Sequence, residues 1–222
     1  MKPGTLAFVF DDAYKTDLSV GMQAQLDRGW EPKGTSYLIT SYTGELRLTV
    51  EEKLTLLDNG WDLQCHSHTH PLDPNFTGMT SDEIHEEMQN VNAHFVNDLG
   101  IPPPEHHTPP GGATGQNTLV RNIVMRYRKT MMGRREKFIG PKPIMNLLSS
   151  NGGSGLAQHK TMSELRNWME LCLKHGFHMA MSFHMLDTPE LVDRYNEILD
   201  HVEDTQIQLV TISELYKILT QR

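Results

Sequence analysis

Short apolar runs that end on polar residues alternate along this chain with longer stretches whose apolar side chains recur three and four apart. That pattern predicts strands alternating with helices. Leu6 to Phe10 is the first strand, ending at Asp11-Asp12, and Ser19 to Gly29 is a helix that Gly29 terminates. Ser36 to Ile39 is the next strand, followed by a turn at Ser41 to Glu45. Thr49 with Glu52 forms a capping box for a helix ending near Gly60, and Trp61 to Cys65 is a strand feeding into His66-Ser67-His68-Thr69-His70-Pro71. A second capping box, Thr80 with Glu83, opens a helix with Ile84, Met88, Val91 and Phe95 on one face, ending at Gly100.

Further along, residues 101–115 hold too much proline and glycine for a central strand and read as a strand end plus a rigid loop. A fourth helix covers Gln116 to Val124, and the basic stretch 125–138 reads as a strand-loop-strand crossing. Residues 149–158 have the composition of a linker and are expected to form a mobile loop near the rim of the site, within one domain. Thr161 with Glu164 makes a third capping box, and the helix it opens ends at Gly176. Phe177 to Phe183 is a strand ending at His184, Pro189 to about Glu203 a helix, Ile207 to Thr211 a strand, and Ser213 with its neighbours caps the last helix.

About seven strands alternating with six or seven helices imply βαβ units around a mainly parallel sheet. Both an open doubly wound sheet and a closed barrel fit that alternation. The polar residues separate them: Asp11-Asp12, His66 to His70, Pro110 to Gly112 and His184 follow strands far apart in sequence, and a barrel gathers such residues on its carboxyl rim. No dinucleotide fingerprint follows the first strand and no phosphate-binding Walker motif occurs. The expectation is a single α/β domain over residues 1–222, a distorted (β/α) barrel of about seven strands with its site at the carboxyl rim.

Composition narrows the function classes. The chain has 222 residues, enough to bury a core without disulfides or a structural metal, and its two cysteines, Cys65 and Cys172, cannot make a disulfide framework. Twenty Lys and Arg against 28 Asp and Glu give a net charge of −8, so a nucleic-acid backbone is not the expected partner. No apolar stretch is long enough to span a membrane. The start runs from Lys2 into carboxylates without a small-residue cleavage site, so a cytoplasmic location is expected, or a secreted one if an export signal has been removed. The 13 methionines imply some flexible core filling, while the 12 histidines are informative by position.

Asp11 and Asp12 are adjacent on extended backbone and so point in different directions, which allows one to ligate a metal and the other to accept a proton. His66 and His70, four apart after a strand, can close on one ion; two imidazoles and a carboxylate suit zinc and leave a position for water. His68, between them, either binds substrate or faces solvent. Strand alternation places His178, Ala180, Ser182 and His184 on one side, with His184 at the rim as candidate acid or base and His178 structural at the far end.

Taken in order, these segments resemble the polysaccharide deacetylase family, the carbohydrate esterases that share the NodB-homology domain. Val9-Phe10-Asp11-Asp12-Ala13 is similar to the family's T-F-D-D-G motif, with alanine for its glycine, and His66-Ser67-His68-Thr69-His70 matches H-S/T-x-x-H. His107-Thr108-Pro109-Pro110-Gly111-Gly112 falls on the third motif, where Thr108 replaces the arginine of one form, and Met181-Ser182-Phe183-His184 falls on the last. The family's Asp-x-x-Asp-Trp pattern is absent, and Arg128 in Tyr127-Arg128-Lys129-Thr130 matches an arginine stretch of an alternative subgroup. The resemblance implies one divalent metal ion, zinc by preference, held by Asp12, His66 and His70. It further implies Asp11 as general base, His184 as general acid and an acetylated carbohydrate as substrate. Substrate contacts are expected from Thr108, Pro110, Gly111, Gly112 and His68, with Arg128 near Asp11. Two rival readings are an amidohydrolase acting on a small cyclic amide or ureide, and a non-catalytic carbohydrate-binding or structural protein that keeps a vestigial metal site.

Overall fold

A computed structural model describes residues 4–72, 76–112, 117–132, 147–149, 157 and 160–220. Among these residues eight strands join one parallel sheet: β1 (Thr5–Asp11), β2 (Thr35–Leu38), β3 (Asp62–Cys65), β4 (His106–His107), β5 (Thr130–Met131), β6 (Leu147–Ser149), β7 (His178–Phe183) and β8 (Gln208–Val210). The order across the sheet is β5-β4-β3-β2-β1-β7-β6. One edge of β1 is divided, its first half pairing with β8 (Thr5 with Gln208) and its second half with β2 (Asp11 with Tyr37), while β7 runs along the other edge. The sheet curls into a partial barrel wrapped by helices, as the alternation predicts.

The helices are α1 (Gln23–Leu26), α2 (Val50–Asp58), α3 (Ser81–Ala93), α4 (Thr118–Tyr127), α5 (Met162–His175), α6 (Pro189–Thr205) and α7 (Ile212–Thr220). All three expected capping boxes form, at Thr49/Glu52, Thr80/Glu83 and Thr161/Glu164. The last helix is capped by the neighbours of Ser213. Its start is held by Thr211 and Glu214, whose side chains each accept the other's backbone N–H, and not by Ser213. The first helix starts earlier than expected, as a π-helical stretch at Asp17–Met22, and α4 begins after Asn117, whose side chain accepts from Leu119 and Val120. Most of the 149–158 loop, and the later part of the basic stretch, lie outside the described residues. Among the described residues, no helix is long and apolar enough to cross a membrane.

Strand parity fixes what faces where. Phe8 and Phe10 point outward, into an aromatic cluster with Phe183, Tyr195 and Trp61 beneath the helices. Ala7 and Val9 point into the barrel, against Tyr37, Ala180, Val210 and the α7 residues Ile212 and Leu215. Continuing the same alternation carries Asp11 inward at the top of β1. On β7 it carries Ser182 and His184 inward with Ala180, while His178 meets Thr5 Oγ1 at 3.0 Å at the amino end.

The short β4 buries two imidazoles completely. Burial holds His106 down to about 3, with Lys129 pushing the same way, and burial takes His107 well below its ordinary range. A histidine depressed in the folded state is neutral there while the unfolded chain takes up a proton. Its contribution to stability is therefore complete above pH 6.5 and is lost as pH falls from there toward 3. Urea denaturation of wild type and H106N at pH 7 and pH 5 should show the wild type losing more on acidification, with an excess slope approaching about 1.4 kcal/mol per pH unit. Equal slopes would show that His106 titrates alike in both states.

Candidate active site

Two carboxylates and three imidazoles meet at the carboxyl ends of β1, β3 and β7. Asp11 is 5% exposed, its Oδ1 has no hydrogen-bond partner among the described residues, and burial raises its pKa against the opposing charges of His66 and His184. His184 Nε2 stands 3.9 Å from Asp11 Oδ2, and its side chain is 44% exposed, so this pair bridges the buried floor and the open mouth.

Asp12 does not continue the strand. Its φ is 77° and that of Ala13 is 54°, a left-handed kink that turns the Asp12 carboxylate sideways toward the end of β3. Arg47 holds the kink: it donates to the Asp12 carbonyl, and its guanidinium stacks 3.9 Å over the Tyr14 ring and 5.0 Å from that of Tyr42. Leu48 N–H also donates to the Ala13 carbonyl at 3.0 Å. Left-handed backbone costs a non-glycine residue about 1–2 kcal/mol, against about 0.5–1 kcal/mol for the greater unfolded freedom of glycine. A13G should therefore raise unfolding free energy by up to about 1 kcal/mol and the thermal midpoint by about 2–4 °C. A lowered midpoint would mean that the buried methyl contributes more than the strain costs.

His66 follows β3 with its Nδ1 2.6 Å from the Thr108 carbonyl. A carbonyl only accepts, so Nδ1 carries a proton, and Nε2 is the nitrogen turned toward Asp12 and left to a metal. Ser67 and His70 again have positive φ, 76° and 55°, and Ser67 Oγ accepts the His70 N–H at 3.0 Å. The resulting turn brings His66 Nε2 to 3.3 Å and His70 Nε2 to 3.4 Å from the same Asp12 oxygen.

These three groups fit a metal ion. Their ligand atoms all lie within 4.8 Å of one another, and that Asp12 Oδ1 is buried with no hydrogen-bond partner among the described residues. Although burial opposes it, His66 and the neighbouring imidazoles hold the Asp12 carboxyl far below the usual carboxylate range, so it is ionised. Burial, and then His66, lower His70 to about 4, so it is neutral and its nitrogen is available. Two imidazole nitrogens and a buried carboxylate oxygen converging on one point are what a cation satisfies.

The remaining sequence candidates divide. Thr108 is buried and contributes through its carbonyl to His66, and Pro110–Gly112 is a tight turn at the same rim, with Gly111 at φ 65°. His68 turns to Thr40, Nδ1 to Oγ1 2.8 Å, and is not part of the Asp12–His66–His70 group. Arg128 is buried, donating to Asn92 and the Tyr127 carbonyl, and its charge acts on His107. Among the described residues Arg128 makes no hydrogen bond or ion pair to Asp11, and the end of α4 aims it at α3. Sequence reasoning missed Arg47 and Tyr14, which lie in a polar stretch and a strand exit without a motif of their own.

A profile of the polysaccharide deacetylase family matches residues 1–130. No curated protein sequence matches the chain. Among solved structures, a peptidoglycan deacetylase from Bacillus subtilis is similar at 17% identity and TM-score 0.61, with 100% of this chain and 94% of that one covered. A family 4 acetyl xylan esterase from Clostridium thermocellum, in complex with a cobalt ion, is 14% identical over 96% of this chain and 90% of that one, with TM-score 0.62. A CE4-family pseudoenzyme from Bacillus anthracis is 15% identical, with TM-score 0.64, over 96% of this chain and 66% of that one. At such identities the likeness is one of fold.

Proposed function

This chain belongs to the polysaccharide deacetylase family, and on that premise we propose that it hydrolyses acetyl groups from an N- or O-acetylated carbohydrate, using one divalent ion held by Asp12, His66 and His70. The observation that carries this reading is the convergence of two imidazole nitrogens on an orphaned buried carboxylate oxygen, beside the 3.9 Å Asp11–His184 pair. Two imidazole nitrogens and a carboxylate oxygen favour zinc.

A bound ion of this kind supplies Lewis acidity, polarising the acetyl carbonyl and easing ionisation of water. Asp11, desolvated and with an oxygen to spare, accepts the proton of the attacking water. The water oxygen bonds to the acetyl carbon, and a backbone N–H of the Pro110–Gly112 turn holds the developing oxyanion. His184, at the open side, gives its proton to the leaving nitrogen or oxygen as the bond to carbon breaks. Acetate and a free amine or hydroxyl on the sugar result. Tyr42, 37% exposed with its ring 6.1 Å from that of His70, offers an aromatic wall suited to a pyranose ring.

The test is acetate release from a panel of acetylated glycans by protein of measured zinc content. Release that follows metal content supports the reading. Stoichiometric zinc without release from any acetylated glycan or small cyclic amide would instead assign the chain a binding role.

A further inference from the structure

Helix α3 buries the stripe Ile84, Glu87, Met88 and Val91, in which one member is a carboxylate. Glu87 is 5% exposed. Its Oε2 accepts the backbone N–H of His68 at 2.8 Å and of Thr69 at 3.1 Å, and its Oε1 accepts the Thr69 hydroxyl at 2.6 Å. Three donors from two consecutive residues converge on this one side chain, and those residues are the middle of the turn that separates His66 from His70.

That turn is strained at both Ser67 and His70, and backbone of this kind persists only where its surroundings over-determine it. Ser67 Oγ ties the inside of the turn, and Glu87 ties the outside. With the His68 and Thr69 amides directed at α3, the His68 side chain is carried to Thr40 while His66 and His70 face Asp12. We infer that Glu87 is a positioning residue for the metal site, setting the geometry of the two histidine ligands through the backbone between them. The inference rests on the proposed metal binding by Asp12, His66 and His70.

Two substitutions separate positioning from core packing. E87M fills the apolar stripe with a side chain of similar length but accepts nothing. E87Q can still accept both backbone N–H groups on its amide oxygen while its NH2 donates to Thr69 Oγ1. Zn2+ dissociation constants from competition with a chromophoric chelator, and thermal midpoints of the metal-free proteins, are the readouts. E87M should weaken Zn2+ binding about 10- to 100-fold, the usual range for groups that support metal ligands, with E87Q close to wild type. Should E87M not fold, T69V, which deletes one donor and leaves the backbone bonds, should weaken binding about threefold or more.

Wild-type affinity in folded E87M, or in T69V where E87M does not fold, overturns the inference, and a lowered metal-free midpoint with unchanged affinity would make Glu87 a fold residue only. A wild-type chain that takes up no Zn2+ overturns this inference together with the proposed function. Tight Zn2+ binding without acetate release overturns the hydrolase reading alone.

Discussion

D11N is expected to keep its metal and lose most of its acetate release. The proposed ligand set of Asp12, His66 and His70 is untouched by the change, and Asp11 Oδ1 has no hydrogen bond for the amide to disrupt among the described residues. What disappears is the ability to take the attacking water's proton. General-base loss of this kind costs about 10²–10⁴-fold in rate, or roughly 3 to 5 kcal/mol of transition-state stabilisation. D12N should behave differently, because it removes the anionic ligand between the two imidazoles, and its metal content should fall first. Zinc content and acetate release measured together on both variants distinguish the roles. Zinc-replete D11N with near wild-type turnover would take Asp11 out of the mechanism and make His184 the next residue to test.

Loss of a histidine ligand should weaken the ion more than any change behind the ligands does. H66A deletes one of three donors and also frees the Thr108 carbonyl that its ring N–H satisfies. Its zinc affinity should drop by more than the roughly 10- to 100-fold typical of supporting-group changes, with acetate release falling in step. The fold should survive, both in H66A and in wild type stripped by a chelator. The core is built from Phe8, Phe10, Phe183, Tyr195 and their neighbours and uses no metal ligand. A cooperative thermal transition should therefore remain, at a lower midpoint, since an ion bound only by the native state adds about 4 kcal/mol at a thousandfold excess over its dissociation constant. H66A with wild-type zinc affinity would remove His66 from the ligand set.

Much of this arrangement was legible in the sequence because it depends on two periods. The alternation of strands and helices gave the parallel sheet, and the three Thr-x-x-Glu boxes start helices where the spacing expects them. Parity along β1 and β7 then predicts that Asp11 and His184 enter the barrel from different strands. Less legible were effects carried by non-periodic backbone. The left-handed turns at Asp12, Ala13, Ser67 and His70 leave no mark on a hydrophobic pattern, since none of these residues is glycine. Arg47 reaches the site from a polar turn through stacking and a backbone carbonyl, neither of which has a spacing signature. Arg128 shows the limit of order along the chain: a motif match names the residue, while its hydrogen bond to Asn92 depends on how the end of α4 lies against α3.

The strand order would give an ion bound by the proposed ligands a mechanical role as well. Asp12 leaves β1 and the two histidines follow β3, with β2 lying between them in the sheet and donating no ligand. An ion bound there is a rivet across three neighbouring strands, and β1 in turn pairs with β7 and β8 from the far end of the chain. Local opening of β2 would have to break that rivet or tear away from both neighbours. Metal loading should thus slow amide exchange along β2, at residues that never touch the ion, and tie the first and last parts of the chain into one cooperative unit.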